Sequence, residues 1–507
     1  MTSRSLFLRG VTIASLLPAI AGGALRAAPD DFKSIESSVT EFTLQNGWKF
    51  IVIERHQAPV ASFLTYADVG STQEVTGISG LAHMFEHMAF KGSSTLGTLD
   101  YSAEKPALAE VDRTYHALYE ERLKARRADP ARLKQLEADF KAAQEAAGKF
   151  VKRNEFGEAV ERAGGRGLNA GTAEDCTVYY FSLPSNETEL WFYLEAQRFA
   201  DPVLREFYQE RDVVMEERRL GDSQPIERLL LEFQAVAYRA HPYHSPVIGH
   251  MSDLKSFSRE DAVAFFKKYY TPANLVSVVA GDVDPRRIRE LAESYFGGIT
   301  GGPKPEPLHT VEPQQIGERR LTLRLQSQRL FLEGYHKPDL NDPDDAVYDA
   351  IASLLSEGRS SRLYRSLVRD QKTATDTGGF PGFPGQKYPG LFLFYAFAAP
   401  GHTNEEVQKG IETEIERLKS EPVSPEELDG VKRRARANLL RQLDDNSNLA
   451  QLLAQAEVLR GTWRELFRSV DRINAVTAAD IQRVAAATFT FDNRTIGVIE
   501  PIQEAAK

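Results

Sequence analysis

The sequence predicts an α+β chain built from two homologous domains in tandem. The first observation is an internal repeat. Ser258-Arg-Glu-Asp261 returns as Thr477-Ala-Ala-Asp480, and Tyr269-Tyr-Thr-Pro-Ala-Asn274 with its apolar run returns as Thr488-Phe-Thr-Phe-Asp-Asn493, both at an offset of 219 residues. One offset shared by a capped helix, a turn asparagine and a closing strand marks a duplicated fold. The second observation is Gly301-Gly-Pro-Lys-Pro-Glu-Pro307, a Pro/Gly linker between the copies. The third is that strand-like and helical stretches mix in each half without strict alternation, which is the α+β pattern. The expected layout is a first domain over 28–300, a linker over 301–316 and a second domain over 317–507. At 507 residues the chain exceeds one ordinary core.

The elements follow in order. Arg4 and Arg9, the apolar run Val11 to Ala21 and the small residues up to Ala28 read as a secretory signal over 1–27, which places the mature protein in a bacterial periplasm or outside the cell. That run is too short to favour a spanning helix, and no later stretch is long and apolar enough, so the mature chain is expected to have no membrane span. Asn46-Gly47 reads as the turn between two β-rich runs within Thr43–Ile53, and Ala61–Val69 as a further strand. Residues 101–153 show helical spacing twice, broken at Asp129-Pro130, and predict an inserted helical hairpin with a solvated charged face. Thr177–Leu183 is strand text, and Glu187–Ala200 and Asp201–Arg219 read as helices. Ser258–Tyr269 is a helix with Ser258 at its N-cap, and Leu275–Ala280 is a buried strand. The single cysteine, Cys176, excludes an intrachain disulfide and reads as a buried strand residue.

Composition is that of a globular chain, 42% hydrophobic and 26% charged, which excludes a disordered or fibrous class. A net charge of −10 argues against nucleic acid as partner and suits basic or unfolded polypeptides.

The stretch around which this is organised is Gly80-Leu-Ala-His-Met-Phe-Glu-His-Met-Ala-Phe-Lys-Gly92. Its apolar spacing and lack of proline predict a helix. His83 and His87 are then one turn apart on one face, a spacing that suits two imidazoles on one zinc ion. Glu86 lies on the same side and is placed to serve as general base toward water acidified by the metal. The order His-x-x-Glu-His is the inverzincin form of the zinc-peptidase signature. A catalytic zinc takes three protein ligands. The candidate source of the third is Glu210-Arg-Asp-Val-Val-Met-Glu-Glu217, in which Glu210 and Glu217 are about two helical turns apart and share a face. Taken alone, such a pair reads as a solvated helix face.

These motifs occur in one order with Asn169-Ala-Gly-Thr172, His241-Pro-Tyr243 and Tyr270-Thr-Pro-Ala-Asn274 through Ala280-Gly-Asp282. The series resembles the insulinase/pitrilysin family of zinc metallopeptidases, which includes the mitochondrial processing peptidases. The resemblance implies one zinc per chain held by His83, His87 and Glu217, with Glu86 as catalytic base and Glu210 as the second acid supporting the ligand shell. It implies that Asn169 and Ala170 lie on the strand where an extended peptide adds by backbone hydrogen bonds. It further implies that the two domains form half of a clamshell around a peptide or unfolded polypeptide. His241, His244 and His250 are not read as a second metal site, because His241-Pro-Tyr243 matches a structural loop of the family.

The second half departs from the pattern. By resemblance, single-chain members place an Arg and a Tyr there, yet Val368 and Thr375 stand at those positions in Ser360–Asp376. A shift of one residue recovers Arg369 but puts Asp376 at the tyrosine position. This resembles bacterial members that work as two chains, so a homologous partner carrying the Arg/Tyr pair is expected. Gly378–Gly385 reads as an irregular loop. The expected function is a zinc endopeptidase, catalytic subunit of a heterodimer. The alternative is a non-catalytic zinc-containing assembly or peptide-binding subunit.

Overall fold

The structure, a computed structural model, describes residues 31–502. The expected leader at 1–27 lies outside the described residues. The first sheet contains β1 (Val39–Thr43), β2 (Lys49–Glu54), β3 (Val60–Ala67), β4 (Arg166–Thr172), β5 (Thr177–Pro184) and β6 (Leu275–Gly281), in the order β1-β2-β6-β3-β5-β4. The second contains β7 (Arg319–Leu325), β8 (Leu330–Lys337), β9 (Ala374–Phe383), β10 (Gly390–Ala398) and β11 (Arg494–Pro501), in the order β7-β11-β8-β10-β9. Without β1 the two orders are the same. β2 runs parallel to β6 as β7 does to β11, and the remaining neighbours are antiparallel in both sheets. The chain is therefore two tandem mixed α/β domains of one design.

The helices that matter for the site are α1 (Leu81–Met88), α2 (Tyr101–Leu123), α3 (Pro130–Gly148), α4 (Phe207–Ser223), α5 (Pro225–Ala237), α6 (Arg259–Tyr269), α7 (Pro425–Asp444), α8 (Asn446–Arg460) and α9 (Ala478–Thr488). The repeat is visible at atomic detail. α6 and α9 both begin with a capping box, Ser258/Asp261 and Thr477/Asp480. Asn274 Nδ2 donates to the carbonyls of Tyr269 (2.9 Å) and Asp68 (3.1 Å), and Asn493 Nδ2 to those of Thr488 (2.8 Å) and His336 (2.9 Å). Each asparagine thereby ties the helix end to the sheet.

Each domain sends a helix across the other's sheet. α8 lays Leu449, Ala450 and Leu453 on Ile51, Leu64 and Val278 of the first sheet. α5 lays Leu229 and Phe233 on Leu332, Leu393 and Ile499 of the second. Phe233 sits over two glycines: a Cβ on Gly334 or on Gly497 would come within 2.8 Å of its ring. The first sheet's other face carries the larger aromatic core, with Trp48, Phe50, Phe63, Trp191 and Phe296 all buried.

Four expectations need correction. Most of Gly378–Gly385 belongs to the edge strand β9, which pairs with β10. The rings of Tyr395 and Phe394 lie so close over Gly378 and Gly379 that an added Cβ would approach them to 2.9 and 2.5 Å, and prolines are tolerated at a sheet edge. Cys176 is in the turn before β5 and only partly buried, with its thiol pushed up to about 12 by burial. The second acidic helix starts at Phe207, because Pro202 disfavours helix at Asp201 and Leu204 and Glu206 take positive φ values of 53° and 57°. The hairpin α2–α3 also presents more than a solvated face. Tyr115 packs on Tyr208 of α4 at 4.3 Å between ring centroids, and buried Glu104 pairs with Arg205 at 2.8 Å.

Candidate metal centre

α1 buries Leu81, Met84, Phe85 and Met88, with Phe85 against Phe266 and Tyr270 of the α6 end. That orientation turns His83, Glu86 and His87 toward α4 and β4. α4 in turn is held from behind by the hairpin. Arg211 donates to the Tyr115 hydroxyl at 2.8 Å and to the Phe257 carbonyl at 2.9 Å. Glu210 and Glu217, two turns apart, both face α1, whereas Glu216 pairs with Arg219 at the surface.

One atom from each of His83, His87 and Glu217 lies within 4.8 Å of the others, and among the described residues this is the group of acids and histidines able to hold an ion. His87 Nε2 is 3.5 Å and His83 Nε2 3.8 Å from Glu217 Oε2. Those gaps are long for hydrogen bonds. Tetrahedral ligands at about 2.0–2.2 Å from zinc stand roughly 3.4 Å apart, so the three atoms fit a shared zinc ion. Two imidazoles and a carboxylate are also a catalytic-type zinc set.

The two histidines are supported differently. His87 Nδ1 is 2.9 Å from Glu210 Oε1, the partner that fixes ring orientation in metal sites. Lys91 Nζ holds the other Glu210 oxygen at 2.7 Å. Burial raises the Glu210 carboxyl, but the His87 and Lys91 hydrogen bonds outweigh it and hold it down at about 2. Burial lowers His87, yet the hydrogen bond with Glu210 and the neighbouring Glu217 carboxylate raise it to about 9. His83 is shifted down, by burial and by the neighbouring His87. Its Nδ1 is buried and has no hydrogen-bond partner. Glu86 stands outside the triad. Its Oε2 accepts from the Thr172 hydroxyl at 2.7 Å.

Thr172 ends β4, the edge strand of the first sheet, so Asn169 and Ala170 lie about 7–10 Å along that strand from the Glu86 contact. Asn169 Nδ2 donates to the Tyr180 hydroxyl at 3.2 Å, and Ala170 is buried. In the second domain Arg369 is exposed and paired with Asp370 at 2.6 Å. Thr375 donates to the Phe397 carbonyl at 3.4 Å. His241 Nδ1 accepts the Tyr243 N–H at 3.2 Å, a turn-building role. Lys91, the Thr172 contact and Glu74 (below) went unread in the sequence, since their partners lie on other elements or across an irregular loop.

The profile described as Insulinase (Peptidase family M16) matches residues 49–108 and 143–250, and that described as Peptidase M16 inactive domain matches 256–435. The chain belongs to the insulinase family of peptidases. The unmatched gap between 108 and 143 falls within the α2–α3 hairpin. Among curated relatives, the zinc protease PqqE of Helicobacter pylori is 29% identical over 423 residues, covering 81% of this chain and 82% of the relative. A probable mitochondrial-processing peptidase subunit beta of Arabidopsis thaliana is 24% identical, over 92% of this chain and 79% of its own. The crystal structure of a protease from Helicobacter pylori superposes with a TM-score of 0.76 at 27% identity, over 91% of this chain and 99% of that one. The periplasmic protease PqqL of Escherichia coli shares the fold, with a TM-score of 0.68 at 17% identity, and the match spans 92% of this chain but 48% of PqqL. No helix among the described residues is long and apolar enough to cross a membrane.

Proposed function

We propose that this insulinase-family chain is a zinc-dependent endopeptidase acting on peptides or unfolded polypeptides in a bacterial periplasm or outside the cell. The observation that carries the reading is the convergence of His83 Nε2, His87 Nε2 and Glu217 Oε2, with Glu86 on the same helix face and the open edge of β4 leading to it. His83, His87 and Glu217 would hold one zinc. When bound, it supplies a Lewis acid that acidifies water and polarises the scissile carbonyl. Glu86 takes the proton from the attacking water on its carboxylate and returns it to the leaving amine. The Thr172 hydroxyl donates to one oxygen of that carboxylate and helps to orient it. Asn169 and Ala170 offer strand-edge backbone to an extended substrate, a mode that reads shape more than sequence. Glu210 orients His87.

Hydrolysis also needs a donor aimed at the developing oxyanion, and loss of one such donor costs about 10²–10³ in rate. Arg369 is tied to Asp370, and Val368 and Thr375 are not cationic or phenolic donors. We therefore assign the missing Arg/Tyr pair to a homologous partner chain in a heterodimer. The test is a peptide-cleavage assay with metal analysis, with and without the candidate partner. Glu86→Gln should keep zinc and abolish cleavage, and His87→Ala should lose zinc. Full zinc in a His83→Ala/His87→Ala variant would overturn the site. Zinc and peptide binding without turnover, partner present, would favour the non-catalytic alternative.

A further inference from the structure

The first turn of α1 has no cap of its own. Its N-cap is Gly80, at φ 94°, and neither Gly80 nor the two residues after it carries a side-chain acceptor. A helix start leaves backbone N–H groups without intrahelical partners, and burying them unpaired is costly. Here a residue from outside the helix satisfies them. Glu74 Oε2 accepts the Gly80 N–H and Glu74 Oε1 the Ala82 N–H, both at 2.7 Å. Glu74 is 8% exposed. Its own place is set by the short turn before it, where the Gly70 N–H donates to Gln73 Oε1 at 2.7 Å. The loop between is held from the far side by Asp253, which accepts from Gly77 N–H, Ser79 N–H and the Ser79 hydroxyl at 3.0, 3.1 and 2.7 Å. Gly80 is further wedged against the backbone of Ile248 and Gly249, where a Cβ would meet the Ile248 carbonyl at 2.7 Å.

This matters because the histidines are positioned unequally. His87 has Glu210 on its Nδ1; His83 has no such partner. His83 follows Ala82 directly, so its place depends on the backbone that Glu74 grips. We infer that Glu74 is the positioning residue for His83: its carboxylate, bonded at both oxygens to the first turn of α1, does through the backbone what Glu210 does for His87 through the ring. Burial pushes the Glu74 carboxyl up to about 8 against the opposing pull of the Ala82 and Gly80 N–H bonds, and in either charge state its oxygens accept from the first turn. The inference rests on the His83/His87/Glu217 reading of the metal centre, and Glu74 touches neither substrate nor metal.

The test compares Glu74→Gln, which keeps size but turns one acceptor into a donor, with Glu74→Asp and with Leu418→Ala, a core change in the second domain. Two measurements are made on the full chain: zinc affinity by chelator competition, and hydrogen exchange of the 77–88 segment in metal-free protein. Loss of an outer partner of a metal ligand typically costs 10–100-fold in affinity. Glu74→Gln should lose zinc affinity in that range and, with a buried N–H left unpaired, exchange at least about tenfold faster over 77–88 without metal. Leu418→Ala should change neither, even where its melting temperature falls as far. Glu74→Asp should recover part of both effects. Unchanged exchange in Glu74→Gln overturns the inference, as does an affinity loss no larger than that of Leu418→Ala. Faster exchange in a chain whose wild type binds no zinc would support the grip on α1 while overturning the metal reading, so the two failures are distinguishable.

Discussion

Replacing Phe233 by alanine removes the ring that locks the first domain onto the second. The ring is fully buried between α5 and the glycines of β8 and β11. An aromatic side chain buries about 150 Å² or more, which at about 25 cal/mol per Å² is roughly 4 kcal/mol of transfer free energy. Measured Phe→Ala costs in cores span about 3–5 kcal/mol. The reverse perturbation, Gly334→Ala, pushes a methyl to within 2.8 Å of the ring and should cost about 1–3 kcal/mol as overpacking. Because the two changes act on one contact, the double variant should be less destabilised than the sum of the singles, by about 0.5–3 kcal/mol. The assay is equilibrium denaturation of all four proteins, with the unfolding midpoint and slope fitted together. A Phe233→Ala loss below about 1 kcal/mol, or a strictly additive double variant, would refute the claim that Phe233 fills the space the glycines leave. α5 follows α4 directly, so Phe233→Ala should also loosen Glu217 and lower zinc affinity.

Three further outcomes are expected. Glu210→Gln should leave the His83–Glu217 part of the site but weaken zinc about 10–100-fold, read by chelator competition. For the half-buried Glu41, burial raises its carboxyl, yet the hydrogen bonds from Arg464 and Lys49 outweigh that and hold it at about 2 against an ordinary 4.5. Its folded value lies below its unfolded one, so its stabilising contribution is full above pH 4.5 and lost as pH falls toward 2. Melting curves should show a wild-type advantage over Glu41→Gln at pH 6 that shrinks at pH 3. Protein isolated from its native host should begin near residue 25–29 by N-terminal sequencing, and a start at Met1 would refute the leader reading.

Much of this was legible in the sequence where the signal is local. His83-x-x-Glu86-His87 needs only one helix to bring its groups together, and Glu210 and Glu217 share a face by spacing alone. The repeat was legible because the capped helices α6 and α9 keep one length and β6 and β11 follow them at one spacing: the first residues of the two strands remain 219 apart. What could not be read depends on contacts between distant elements. The glycines of β9 look like a loop until the rings of β10 are laid over them. Glu74 looks like an ordinary surface acid until the loop after it folds back and places Gly80 and Ala82 against it. The helix expected from Asp201 failed for a local reason, Pro202, that helical composition further on obscured.

The exchange of α5 and α8 imposes an order on biosynthesis. The first sheet is complete once Gly281 has been made, but the residues that cover its outer face, Leu439 to Val470, leave the ribosome more than 150 positions later. Through that interval Ile51, Leu64, Tyr66 and Val278 lack the cover of the C-terminal helices and have the smaller contacts of Phe32, Ile35 and Val39 on that face, and a largely bare apolar sheet is the kind of surface on which nascent chains aggregate. The N-terminal half is therefore not a unit that matures as it emerges. The outer face of its sheet is closed only by α8 and the residues after it in the C-terminal half.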